Sequence, residues 1–171
     1  MLSAPTQKKA RTSPSTKILE INSTTISPQF SDTSFVYRVD HIHYLNDYYN
    51  IFFIPPSQQI NLIITQHLRN CGLFKYIDST SDIIDSNYIL QPQVLDLYAD
   101  YRNANNPKAI ITIQFTLFKP VKNKPYIVLN KIFKAAIPLK TKDSKSLVEA
   151  WNIGLNKILR QLTQQLRYRI R

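Results

Sequence analysis

The side chains with the most chemical potential in this sequence share one short stretch, IPPSQQINLIITQHLRNCG, at positions 54–72. His67 and Cys71 lie at i and i+4, a spacing that puts both on one side of a helix. A thiol beside an imidazole could be a nucleophile with its base, or half of a metal site. The surrounding residues argue against both. Cys71 falls on the apolar stripe of Ile60, Ile63, Ile64 and Leu68, where a thiol behaves as a small hydrophobe. No Asp or Glu occurs between positions 54 and 72 to orient the imidazole. The stretch reads as a structural helix, with Cys71 on its packed side and His67 and Arg69 facing solvent or a partner.

Other candidates are weaker. His41 and His43 form an H-x-H that would point to one face of a strand and could chelate a metal, but no further ligand is fixed nearby. Asp78, Asp82, Asp85, Asp96 and Asp100 could do acid–base work. Asp96 and Asp100 share a strand face, while most of the others sit among turn-forming residues. No Ser-His-Asp arrangement can be built, so no catalytic, cofactor or metal residue is assigned. Aromatic and basic residues alternate at Tyr37-Arg38, Tyr101-Arg102 and Arg167-Tyr168-Arg169, a pattern that can clamp single-stranded nucleic acid if the rings face out together. Tyr44, Tyr48 and Tyr49, with Arg167 and Arg169, read instead as contacts to a partner or a second copy.

Composition narrows the classes. The chain has 171 residues, of which 43% are hydrophobic, enough to bury one core. Two glycines cannot build a phosphate or dinucleotide loop, and one cysteine cannot build a disulfide or a Cys-based zinc site. Twenty-two Lys and Arg against 11 Asp and Glu give a net charge of +11, which favours anionic partners. No apolar run approaches the roughly 18 residues of a membrane-spanning helix, and no signal peptide is legible at the start of the sequence.

The elements that must position these residues follow from periodicity. Residues 1–33 are rich in Ser, Thr, Pro, Gln and Lys and read as a flexible tether, with a short extended piece at 17–21. Residues 34–171 form one domain. Strands are expected over 34–42 and 48–54, joined by a turn at Asn46 and Asp47. A helix spans 56–71, opened by Pro56 and closed by Gly72 in a left-handed cap. A short strand follows at 74–78, then long alternating strands at 87–101, 109–120 and 125–139. The first long strand changes phase midway, which calls for a bulge near 92–94. Asp143 or Ser144 caps a final helix, with a second capping box at Ser146 and Glu149. The expected fold is α+β: an antiparallel meander sheet covered on one face by two helices, a two-layer sandwich.

Four phrases, INLIITQHLRNCGLFKYI, NYILQPQVLDLYADY, AIITIQFTLFKP and SLVEAWNIGLNKILRQL, come in an order that resembles a known family. It is the auxiliary lipoprotein component of ABC-type transport systems, the outer-membrane-anchored periplasmic partner of MCE-type lipid-transport complexes. The resemblance covers about 35–166. It implies a non-enzymatic, membrane-tethered docking module, periplasmic and anchored to the outer membrane. Its partners would be envelope components of an ABC or MCE-type transporter and further copies of itself, with no nucleic acid and no cofactor. It also implies a leader and a lipid-modified cysteine N-terminal to residues 1–33. Cys71, in mid-domain, cannot be that anchor. A basic cytoplasmic nucleic-acid-binding module is the alternative that composition leaves open.

Overall fold

The structure, a computed structural model, describes residues 16–78, 86–121 and 125–170. Its elements in chain order are β1 (Ile18–Ile21), β2 (Thr25–Ile26), β3 (Ser34–Arg38), β4 (Tyr44–Ile51), α1 (Pro56–Asn70), β5 (Tyr76–Asp78), β6 (Tyr88–Asp100), β7 (Lys108–Lys119), β8 (Tyr126–Pro138) and α2 (Ser144–Arg169). A 3-10 turn over Pro28–Phe30 links β2 to β3.

The three long strands pair antiparallel, β6 with β7 and β7 with β8, as their alternation requires. The expected bulge lies one residue beyond the predicted span. Val94 pairs with Ile113 and Asp96 with Thr112, so Leu95 is the extra residue. The meander uses only one side of the 13-residue β6. Its other side takes three short strands end to end, all parallel to it: β1 at 88–90, β2 at 93–94 and β3 at 99–100. Pro92, which has no N–H to offer, falls in the gap between β1 and β2. β5 adds parallel outside β1, and β4 antiparallel outside β3.

The sheet is therefore eight-stranded and mixed, and the simple antiparallel meander of a two-layer sandwich is corrected. The cause lies in the segment taken for a tether. Leu19 and Ile21 are fully buried, and each such side chain contributes roughly 1.5–3 kcal/mol. The tether boundary at residue 33 is too late, because the sheet already includes residue 18. Residues 1–15, the acids Asp82 and Asp85, and the turn at Asn123 and Lys124 lie outside the described residues.

The helices close the core. α1 buries Ile60, Ile63, Ile64 and Leu68, and Gly72 ends it with φ of 67°. Asp143 caps α2 by accepting from the Ser146 N–H at 2.7 Å. Ser146 makes no box with Glu149; its hydroxyl accepts from the N–H groups of Lys140 and Thr141. The Trp151 ring is fully buried in a cluster with Phe35 and Phe52, and its N–H donates to the Ile110 carbonyl at 3.1 Å.

Candidate functional site

β3 and β4 form a hairpin whose turn is residues 39–43, not Asn46 and Asp47. The Asp40 carboxylate sets it by accepting from the N–H groups of Ile42 and His43, at 2.8 and 2.7 Å. The same carboxylate pairs with His43 Nδ1 at 2.6 Å. His41 and His43 thus lie in a turn rather than along a strand. Among the described residues no group of three or more His, Cys, Asp or Glu could hold a metal ion.

Asn46 and Asp47 fall within β4 instead, at a large irregularity. Ser34 pairs with Ile51 while Phe35 pairs with Asp47, so Tyr48, Tyr49 and Asn50 loop out from the ladder. Asp47 holds this bulge in shape. One carboxylate oxygen accepts from the N–H groups of Tyr49 and Asn50, at 2.9 and 3.2 Å. The other accepts from the Asn50 side-chain amide at 2.7 Å and the Tyr37 hydroxyl at 2.5 Å. The hydrogen bond from Tyr37, ahead of those from Asn50 and the backbone, pulls the Asp47 pKa down to about 2. Burial, then the bond to Asp47, pushes the Tyr37 hydroxyl up.

The fixed bulge projects apolar surface into solvent. Tyr49 is 98% exposed, Tyr48 78% and the following Phe53 94%. Ile42, Leu45 and Ile51 are each more than half exposed. Beside the bulge, where β4 faces the first turns of α2, a cleft of about 500 Å³ opens. Phe35 and Val148 contribute apolar surface to it, Tyr49 and Ile51 line the strand side, and Lys145 and Glu149 line the helix side. An exposed aromatic edge beside a cleft of mixed polar and apolar lining can bind another surface.

The structure separates the predicted contact residues. Tyr48 and Tyr49 belong to the bulge. Tyr44 packs edge-on against Phe30 and Tyr98, with Arg38 5.3 Å over its ring. Arg167 and Arg169 lie at the far end of α2, whose 26 residues span about 39 Å. Arg169 donates to the Val128 carbonyl at 2.8 Å, and Arg167 is exposed. Phe53, Ile51 and the Phe35–Val148 cleft were not predicted. Asp47 and Asn50 flanking two tyrosines are the local signal for the bulge; the cleft joins positions about a hundred residues apart and has none.

His67 is corrected: it is 1% exposed rather than outward-facing. The Thr163 hydroxyl donates to the Leu159 carbonyl at 2.9 Å and so accepts from His67 Nε2–H at 2.8 Å, which leaves Nδ1 buried without a partner. Burial pushes the imidazole pKa down and the Cys71 thiol up. Cys71 donates to the Leu68 carbonyl at 3.0 Å. A buried thiol held protonated is the opposite of an activated nucleophile. Asp100 is paired with Arg102 at 2.6 Å rather than poised with Asp96.

No family model matches this chain, and a search of curated proteins finds no match either. Solved structures do match in fold. Protein XCC0632 from Xanthomonas campestris, of family model DUF330, aligns with a TM-score of 0.79 at 16% identity, over 95% of this chain and 92% of that one. A hypothetical protein, CT253, from Chlamydia trachomatis aligns at 0.62 and 10% identity, over 91% and 98%. PelC from Paraburkholderia phytofirmans, solved as a dodecamer, aligns at 0.52 and 11% identity, over 92% and 94%. At these identities the likeness concerns the fold alone.

Proposed function

We propose that this protein is a non-enzymatic docking module. It serves as the membrane-tethered auxiliary lipoprotein component of an ABC or MCE-type system that moves lipids across the Gram-negative envelope, in the periplasm at the outer membrane. The observation that carries the docking part is the β4 edge. A bulge fixed by four hydrogen bonds to Asp47 presents exposed Tyr48 and Tyr49 beside a cleft of mixed lining, and exposed aromatic surface of that kind marks an interaction site. The transport context rests on the sequence phrases that resemble the family. Homo-oligomerisation is part of the proposal, and the dodecameric state of the PelC neighbour supports it.

The test is purification of the chain with the MCE-domain and ABC components encoded in the same genome, followed by measurement of mass and binding. Wild type is expected to bind one of them or to self-associate. Tyr49→Asp and Ile51→Asp are expected to remove the association while keeping the melting temperature. If wild type is monomeric and binds none of these components, the proposal fails.

A further inference from the structure

The net charge is divided very unevenly along the chain. Residues 1–100 hold seven Lys and Arg against nine carboxylates, while residues 101–171 hold fifteen against two, Asp143 and Glu149. The fold turns this asymmetry in sequence into one in space, because the second half supplies the contiguous unit β7, β8 and α2. β7 and β8 contain no acid, and α2 contains none after Glu149 in its second turn. Two ion pairs, Asp40 with His43 and Asp100 with Arg102, lie at the hairpin end instead. Lys131, Lys134, Lys157, Arg160 and Arg167 are all exposed.

Between β8 and α2 runs a groove of about 330 Å³, lined by Lys131, Ile132, Lys134, Gln161 and Gln164 among others. Lys157, Gln161, Gln164 and Tyr168 follow at i, i+4, i+7 and i+11, so Lys157 and Tyr168 extend the same helical stripe. Exposed apolar side chains occur on the same two elements: Tyr126, Ile127 and Ile132 of β8 and Ile153 and Tyr168 of α2 are each more than half exposed. A surface that is only solvated mixes both signs of charge and avoids the self-repulsion of a one-sign field. A one-sign field interspersed with isoleucine and tyrosine fits a bilayer boundary. There cations meet headgroup phosphates, aliphatic side chains enter the boundary and tyrosine lies at headgroup depth. Single-stranded nucleic acid would need flat rings for its bases, and most of the exposed apolar residues here are aliphatic.

We propose that the β8–α2 flank is a docking face for an anionic lipid surface. Lys131, Lys157 and Arg160 contact the headgroups from the α2-facing side of β8, Lys134 and Ile132 reach them from the other face at this edge strand, and Tyr168 lies at the boundary below. This face is separate from the β4 edge and needs no lipid anchor to act.

The test is co-sedimentation of the full chain with phosphatidylcholine vesicles, with and without phosphatidylglycerol. Binding is expected only with the anionic lipid and is expected to be lost at high salt. At about fivefold per surface cation, each pair Lys131→Glu with Lys134→Glu, or Lys157→Glu with Arg160→Glu, weakens partitioning about twenty-five-fold or more. All these residues are exposed, so the melting temperature should hold. Lys75→Glu, an exposed cation outside the flank, and Tyr49→Asp at the β4 edge should bind as wild type does. Equal binding to neutral vesicles, or an equal loss from Lys75→Glu, overturns the proposal. So does an oligonucleotide that binds the same cations while anionic vesicles do not.

Discussion

β8 and β4 both run along an outer edge of the sheet, where backbone groups must be kept from pairing with a stranger. β8 is the longer, at 13 residues against 8, and carries Lys131 and Lys134 along its length with Pro138 at its end. α2 lies alongside it, and Arg169 occupies the Val128 carbonyl. β4 has no lysine, arginine or proline. Its one charged residue, Asp47, is spent inside the bulge, and its exposed side chains are mostly aromatic or aliphatic. Long strands invite mispairing more than short ones do, so the lysines sit where the hazard is greatest. At β4 the ladder is interrupted and the apolar surface left open, which is the surface the proposed docking would use.

The largest expected effect strikes what the two edges share. Trp151 packs against Phe35 and Phe52 on the β4 side, while its own helix lies on β7 and β8. Trp151→Ala should cost about 3–5 kcal/mol, read by chemical denaturation, and should loosen both flanks together. Retained stability would mean that the flanks do not depend on a common core. Next is Gly154, where α2 crosses the sheet. An added Cβ there would meet Ile111 Cγ2 at 2.9 Å and the Ala135 methyl at 3.2 Å. Gly154→Val should cost about 1–3 kcal/mol and disturb the β8 side while β4 keeps its bulge. Hydrogen exchange would show protection falling along β7 and β8 first; an even loss would refute that separation.

How far the sequence foretold this architecture depends on the distance between partners. β6, β7, β8 and α2 were legible because each carries its own periodicity over a dozen or more residues. β1 was legible only as a short extended piece at 17–21 and β2 not at all: both join the sheet because β6 has an unused side, some seventy positions later. His67 fits the apolar stripe by spacing, three residues after Ile64, but its polarity argued for solvent. Thr163, the partner that makes burial tolerable, is 96 residues away. The bulge was misread as a turn because Asn and Asp suit both, and the choice was made by the Tyr37 hydroxyl across the hairpin.

Two pH effects separate the shared core from the edge. Burial holds the folded-state pKa of His67 below its ordinary 6.5. The unfolded chain then takes up the proton more readily, so the contribution of His67 is complete above 6.5 and is lost as pH falls below it. His67→Gln should flatten that part of the stability profile. Asp47 is likewise lowered, from 3.8 to about 2, so its contribution is present above 3.8 and lost as pH falls towards 2. Asp47→Asn should remove that lower inflection and weaken docking at β4 more than it lowers the melting temperature. An unchanged profile in either variant would refute the corresponding assignment.

The smallest effect on stability should come from exchanging the guards of the two edges. Lys131→Thr with Lys134→Thr changes exposed side chains and should stay within about 0.5 kcal/mol of wild type. It nevertheless removes both cations from a strand at the edge of the sheet. Concentration-dependent self-association by light scattering is therefore expected without any loss of fold. The reverse exchange, Tyr48→Lys with Tyr49→Lys, places cations on the bulge and should abolish association through β4, again with little change in melting. If the β8 variant stays monodisperse, the edge is protected by α2 and Arg169 rather than by charge. The contrast between the two strands would then be one of coverage, and the β8 lysines would be left with the lipid surface as their only role.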